Sequence, residues 1–396
     1  MSEFTNNYEY RAQQLADYMA GLIQGENGVE LIQKYQLKTE NFIPKDILGA
    51  FDILMEQNFS IQDLKAVSNK LFNILYETLN AYPALQPRSD SFLAYLMADN
   101  AVAQQQLKAL KPLIKELNQE VSEERKSTLK QQFTTLDGIL QHYVVVENVV
   151  FPFLEKKWKH HRCVQIMWSF HDDIRRNLQL MDQMLTSENF EIKKLNELVG
   201  LIFFNISTII LREEKIIVPV LLETANGHDL ENMLAEAYEL EFSYVKIPAI
   251  QDKKKSISFT TNDLIHLSTG VLSAEQFQLI FNHLPVDITF VDENDEVKFF
   301  SNPPHRIFPR TPAIIGRKVQ FCHPPESVHI VNRIVDSFKS GEKSVASFWL
   351  HMGPKFVLIQ YFAVRNEQGE YRGTLEVSQE ISEIQKIEGD RRLLDW

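Results

Sequence analysis

Glu147-Asn-Val-Val-Phe-Pro152-Phe-Leu154 and Glu214-Lys-Ile-Ile-Val-Pro219-Val-Leu221 carry one pattern: a carboxylate enters an apolar run, and a proline follows five residues later. Each run lies within a long segment of helical period. A further apolar-periodic segment precedes each, so the region reads as two related helix pairs. That is the sequence form of a pseudo-symmetric four-helix bundle. A carboxylate on a bundle-facing surface costs free energy unless it is paired, hydrogen-bonded or bound to a cation. The repeat therefore marks a candidate metal site.

Outward from the repeat, nearly every segment from 88 to 245 is helical in period, with breaks around Ser122, Lys159-His160-His161, Ser187-Glu188-Asn189 and Asn226-Gly227. Four long helices and a shorter fifth fit there. Residues 1–84 show helical period broken at Gly25-Glu-Asn-Gly28 and Pro44, which predicts a small all-α domain of three or four helices. Residues 246–272, with Pro248, a lysine run and a Ser/Thr-rich stretch, have the composition of a linker. From 273 to 396 the period changes to alternation. Asp287 to Asp292 and Val297 to Phe300 flank a polar turn and predict a hairpin. A helix is expected at about 326–340 after Pro325, then strands near 343–352, 355–365 and 371–380. Together these make an α+β domain with an antiparallel sheet and helices on one face.

Composition narrows the function classes. A net charge of −12, with no basic block longer than Lys253-Lys254-Lys255, disfavours nucleic acid and anionic membranes as partners. Only Cys163 and Cys322 are present, so neither a disulfide framework nor a paired-cysteine zinc site is expected, and a cytoplasmic location fits best. The N-terminus is polar and acidic where a signal peptide would be basic and then apolar. The longest apolar run, Leu198 to Leu211, is interrupted by Gly200, Asn205, Ser207 and Thr208 and is expected to be too short to span a bilayer. No Gly-x-Ser-x-Gly elbow and no phosphate-binding glycine loop occur.

On a helical wheel at about 100° per residue, Glu147 falls within the apolar face of 136–154 and His142 at its edge. His171 shares a face with Met167, Ile174 and Leu178, while Asp172 and Asp173 point away. For the fourth helix the wheel favours Glu213, which lines up with Ile202, Ile206 and Ile209. The repeat instead makes Glu214 the counterpart of Glu147. Both are carried as candidates. Imidazole and carboxylate from facing helices suit iron and leave positions open for a small ligand. The spacing argues for a reduced site: His142 and Glu147 diverge by roughly 140°, and Ile209 stands where the repeat would place another histidine. The competing reading is a polar network, in which Glu147, Glu213 and Glu214 pair with Arg175, Arg176, Arg212 or Lys215, and the histidines are hydrogen-bonded in the core. His160 and His161 fall in a loop among lysines.

In the last domain, Phe321-Cys322-His323-Pro324-Pro325-Glu326 places a thiol and an imidazole at a helix entrance. Such a pair can bind an anion, a metal or a haem. The alternative is a rigid turn whose prolines set the helix direction.

The run Leu284-Pro-Val-Asp-Ile-Thr-Phe-Val-Asp292, with Phe299-Phe-Ser-Asn302, Arg306-Ile-Phe-Pro-Arg310, Ile315-Gly-Arg-Lys318, Cys322-His-Pro-Pro325 and Arg391-Arg-Leu-Leu-Asp-Trp396, closely resembles the PAS domain of DUF438 proteins. In that family a small helical DUF438 domain and a hemerythrin-like HHE bundle precede the PAS domain. His142-Tyr143, Glu147-Asn148, Phe151-Pro152, Met167-Trp168, His171-Asp172 and Glu213-Glu214 with Pro219 look like the bundle's motifs. Two departures stand out. Ser91 to Asn100 contains no histidine, leaving Asp99 as the acid there, and Val67-Ser-Asn-Lys70 stands near where the family has Cys-Asp-Val-His.

The resemblance implies a cytoplasmic sensor that joins a PAS pocket to a reduced, hemerythrin-like iron site. His142, Glu147, His171, Glu213 and Glu214 are the candidate iron ligands, with Cys322 and His323 toward a haem or flavin. A homodimer through the PAS domain or the C-terminal helix and a signalling partner protein are expected. The alternatives are a non-haem iron enzyme that consumes oxygen, peroxide or nitric oxide, and a metal-free scaffold.

Overall fold

The computed structural model describes residues 3–83, 85–158, 161–248, 264–267 and 269–389. The chain divides into two compact units, Met1–Ile250 and Gln251–Trp396.

The first unit is helical. It begins with α1 (Glu3–Ile23), α2 (Gly28–Lys34), α3 (Pro44–Glu56) and α4 (Ile61–Ala81). Then follow α5 (Phe92–Gln119), α6 (Glu123–Leu136), α7 (Ile139–Val145), α8 (Phe151–Lys157), α9 (Cys163–Thr186), α10 (Ile192–Arg212), α11 (Val218–Thr224) and α12 (Gly227–Leu240). Polar side chains set the starts: Ser60, Ser91, Ser122 and Asn226 each accept the backbone N–H three residues on. Two of these lie at the breaks expected around Ser122 and Asn226.

The repeated motif has a repeated backbone form. A π-helical turn, Val146–Val150, joins α7 to α8, and a second, Glu213–Ile217, joins α10 to α11. In each, the residue before the proline bonds five residues back, Phe151 N–H to Val146 O and Val218 N–H to Glu213 O. Proline has no N–H to give and its ring crowds the carbonyl four residues back, so a wider turn accommodates it. Asn148 Nδ2 donates to Val144 O at 2.8 Å, supplying a side-chain donor in the loosened stretch.

Helix α5 packs on α6 and α10, and α9 packs on the same two, which closes a ring of four segments compatible with a four-helix bundle. One apolar core runs from Leu15 to Phe242, so residues 1–84 and 88–245 share it. The apolar run Leu198 to Leu211 belongs to a continuous helix, Ile192–Thr224, which by length and composition is long enough to cross a membrane. Here it is a core helix: it packs on α5 and α9 and carries Arg212 and Glu213 into the interior.

The second unit opens with a hairpin of β1 (Leu264–Leu267) and β2 (Gly270–Ser273), followed by α13 (Ala274–His283). The main sheet comprises β3 (Asp287–Asp292), β4 (Val297–Phe300), then after α14 (Pro325–Lys339) β5 (Val345–Met352), β6 (Lys355–Arg365) and β7 (Tyr371–Glu380). It is fully antiparallel in the order β4-β3-β7-β6-β5. Register puts Val291, Val357 and Ile359 on the face that α14 covers, with Val335 and Phe338 packed inside. The opposite face is not bare, contrary to the expectation of helices on one side. Phe299 pairs with Phe290 there, and Phe277 and Phe281 of α13 pack their rings on it at 6.4 and 5.5 Å. The sequence reading assigned no element to α13 and placed β1 in the linker. Edge strand β5 leaves Val345, Phe348, Trp349 and Leu350 exposed, Trp349 by 65%. The expected C-terminal helix is a short 3₁₀ turn, Ile384–Lys386, with Ile384 and Ile387 exposed. Residues 390–396, with Leu393, Leu394 and Trp396, lie outside the described residues, as do His160 and most of the linker.

Candidate functional site

Four segments of the helical unit bring polar side chains into its core. His142 lies on α7, fully buried. Its Nδ1 donates to Asp99 Oδ2 of α5 and its Nε2 to Glu213 Oε2, each at 3.0 Å. Glu213 Oε2 also accepts from Asn100 Nδ2 at 2.8 Å, and Asp99 Oδ1 accepts from the Tyr244 backbone N–H at 3.1 Å. Burial alone would lower the His142 pKa, but the two carboxylates outweigh it and push it up to about 9. His142 is therefore an imidazolium at neutral pH, held between two acids. Burial likewise opposes charge on Glu213, yet His142 and Asn100 hold its carboxyl below the ordinary range. His142 is thus bracketed by the carboxyl groups of Asp99 and Glu213 from two helices.

A second cluster adjoins it. His171 Nδ1 lies 2.8 Å from Glu147 Oε1, and Arg175 Nη2 donates to both oxygens of Glu147 at 2.8 Å. Arg175 and His171 keep Glu147 ionised against its burial. Burial, with Arg175 nearby, lowers the His171 pKa and leaves a neutral ring. Its plane stacks on Tyr143, with centroids 4.0 Å apart, and lies parallel to Phe151 at 5.7 Å. Because Nδ1 donates to Glu147, Nε2 carries the lone pair.

That lone pair has no partner. His171 Nε2, Glu213 Oε1, Asn100 Oδ1 and the Tyr143 hydroxyl are all buried without a hydrogen bond. They belong to one neighbourhood, since the Glu213 charge acts on both His171 and Tyr143. Three of the four are acceptors, a demand that a cation or a donor-rich small molecule meets.

The structure thus separates the predicted ligands. His171 and Glu213 keep a free donor atom, whereas His142 and Glu147 are saturated and stand behind them. His142 and Glu147 do not converge on one point. Glu214 is partly exposed and outside the network; burial and the adjacent Glu213 charge push its carboxyl up. Among the described residues no three His, Cys, Asp or Glu side chains gather as a metal cluster. Asn100 and the Tyr244 N–H were not anticipated; the one signal for Asn100 is its place beside Asp99 on the apolar side of α5. His161 Nδ1 bonds Trp158 O at 2.9 Å, in a turn.

In the second unit, Cys322 ends a 3₁₀ turn, Val319–Cys322, and packs against Val291, Val297 and Ile314. His323 follows in extended conformation, and α14 starts two residues later at Pro325. Dense packing, with Arg310 and Arg317 nearby, pushes the His323 pKa down to about 4. Arg306 is also drawn into the domain, donating to Thr289 Oγ1 at 2.9 Å and to Ser301 O.

Residues 277–382 match the family model described as PAS domain, which agrees with the sheet order and with α14 covering one face. The C-terminal α+β unit is a PAS domain. Among solved structures, a C-terminal domain from Streptococcus mutans is 34% identical, covering 31% of this chain and 96% of that one, with a TM-score of 0.30. A sensory box sensor histidine kinase from Vibrio cholerae is 13% identical over 26% of this chain and 86% of that one, TM-score 0.21. The PAS domain of a Colwellia psychrerythraea protein is 14% identical over 28% and 97%, TM-score 0.23. No curated protein matches the chain.

Proposed function

We propose that this chain is a cytoplasmic, signal-responsive sensor whose PAS domain takes a small ligand and whose output passes to a partner protein and through self-association. The PAS domain at 277–382 carries this reading. Cys322 and His323, beside the inner cluster of that domain, are the residues proposed to face a haem or flavin. Exposed Trp349, Phe348 and Leu350 on edge strand β5 support a homodimer through the PAS domain.

A second reading, that the helical unit is hemerythrin-like and holds iron, is favoured by the unpartnered His171 Nε2 and Glu213 Oε1. The donor set fits one ion and not two, because His142 has both nitrogens engaged and Glu147 both oxygens. His171 and Glu213 would hold it, with the Tyr143 hydroxyl at hand and solvent in the open positions. Bound iron would supply a redox-active centre open to a small molecule. The chain's own part is to keep His171 in the correct tautomer through Glu147 and to exclude bulk water with Tyr143 and Phe151.

An absorption spectrum with elemental analysis of full-length protein purified under reducing conditions tests both. A haem or flavin band supports the proposed PAS ligand, and up to one iron per chain supports the bundle site. Neither chromophore nor iron leaves the sensor reading resting on an uncoloured ligand, and two tightly held irons contradict the one-ion reading.

A further inference from the structure

The outward face of α10 carries no charge between its ends. From Leu198 to Leu211 no residue on any side of the helix is charged, whereas α9 turns Arg176, Gln179, Asp182 and Gln183 outward. Leu201 is 52% exposed and Phe204 46%, with Thr208 and Leu211 partly exposed beyond them. This outer apolar face, added to the core face, is what gives the helix the composition of a membrane span. A helix on the surface of a soluble domain ordinarily puts polar side chains there.

Glu197, Leu201, Phe204, Thr208, Leu211 and Lys215 follow one another at steps of four and three residues. At about 100° per residue the six fall within a stripe about 80° wide, the spacing of a coiled-coil seam. Lys215 lies in the second π turn, which advances less per residue, and it stays partly exposed. Glu197 and Lys215 close the stripe with opposite charges, and neither forms an ion pair among the described residues. Gly200 stands beside the stripe, where a Cβ would meet nothing within 4 Å. Glycine within a helix is unfavourable relative to alanine, and the packing of this chain does not require it here. It leaves room for a helix from outside the chain to come close.

We propose that this face is where two copies of the chain meet, α10 against α10 and antiparallel. The order of the stripe selects that occupant. A two-fold axis at the level of Ile206 sets Leu201 against Leu211 of the second copy, Phe204 against Thr208 and Glu197 against Lys215, each contact made twice. A parallel pairing would oppose like charges at both ends, and a uniformly charged partner would leave one end unmatched. From Glu197 to Lys215 the stripe is about 27 Å long and about 10 Å wide. That footprint is well below the roughly 800 Å² per partner of a stable dimer. The contact alone is therefore weak, dissociated at tens of micromolar, and fills when another contact already holds two chains together. It adds a second surface to the self-association read at the PAS domain and is tested without that one.

The test is sedimentation equilibrium at several hundred micromolar in full-length protein carrying Trp349→Glu, which removes the PAS contact. A dimer is expected there, and Phe204→Glu is expected to abolish it. Glu197→Lys and Lys215→Glu should each weaken association at least about tenfold, since each replaces two attractions by two repulsions. An equimolar mixture of these two variants should restore it, as should both substitutions in one chain. All three positions are exposed or partly so, and circular dichroism checks that the helices persist. A monomer at that concentration overturns the proposal, as does a dimer indifferent to Phe204→Glu or charge variants that mixing does not rescue. Binding to phosphatidylcholine vesicles that Phe204→Glu abolishes, with the protein otherwise monomeric, assigns the face to a lipid surface and overturns it too. Failure of the PAS contact shows at tens of micromolar in the unmodified chain and leaves this result untouched.

Discussion

His171 Nδ1 meets Glu147 Oε1 at 2.8 Å, and that bond fixes the opposite nitrogen, Nε2, as a lone pair buried with no partner. The carboxylate that the repeat brings into the core therefore serves to orient a histidine, and the histidine is what remains free to bind.

If one ion sits there, His171→Ala and Glu213→Gln should each reduce iron content to less than about half, since each removes one of the two unpartnered ligand atoms. His161→Ala, in the turn before α9, should leave it unchanged. Iron measured per chain after purification under reducing conditions distinguishes these outcomes, and equal losses in all three variants would remove His171 from the site.

Arg175 holds both oxygens of buried Glu147. Arg175→Met should destabilise the helical unit by about 3–5 kcal/mol, because it strands a charge in the core. Adding Glu147→Gln should recover part of that loss. Urea denaturation followed by circular dichroism gives both values, and a single-variant loss below about 1 kcal/mol would contradict the pairing.

The two histidines predict opposite limbs of a pH profile. His142 is raised from 6.5 to about 9 on folding, so its contribution is fully present below 6.5 and is lost as pH rises through about 9. His171 is lowered, so the fold favours its neutral form and loses that contribution as pH falls below 6.5. Stability should peak near neutral pH. His142→Gln should flatten the alkaline limb specifically, measured as denaturation midpoints across pH 5 to about 10.

Gly373 on β7 has φ +146°, and a Cβ there would press directly on the Val291 carbonyl oxygen of the neighbouring strand. Gly373→Ala should therefore cost about 2–4 kcal/mol in the PAS sheet. Its unfolding transition, read by tryptophan fluorescence from Trp349, should move to lower denaturant.

Sedimentation at tens of micromolar should show a dimer that dissociates in Trp349→Glu, with the sheet intact by circular dichroism. Deletion of 381–396 tests the C-terminal route separately. A monomeric unmodified protein would sink both.

Much of this architecture could be read from residue order, since period and punctuation coincide where local chemistry decides: Ser122 and Asn226 cap helices, Pro325 opens α14, and the alternating runs become strands. The choice between Glu213 and Glu214 shows where such reading divides. The wheel favoured Glu213 because α10 keeps its period through Arg212, and Glu213 is the next residue on that face. The repeat favoured Glu214 because the two π turns are equivalent in backbone, but the second position of the second turn is partly exposed where Glu147 is buried. Backbone likeness did not carry side-chain surroundings with it. Arg175 as the partner of Glu147 was among the pairings anticipated, whereas Asn100 showed only as a neighbour of Asp99 on the apolar side of α5, and the Tyr244 N–H, far along the chain from His142, left no local trace. Helix α13 was missed for a related reason: its Phe277 and Phe281 find their purpose only against Phe299.

A π turn holds one residue more than the surrounding helix needs, and such a surplus can travel along the helix as a dislocation travels through a crystal. At Glu213–Ile217 the proline at 219 bars its exit toward the C-terminus, so the open direction runs back into α10. One step of that kind would turn Glu213 away from His142 and bring Glu214 toward the place it leaves. Hydrogen exchange at 213–217 faster than in the middle of α10 is the mark of that motion.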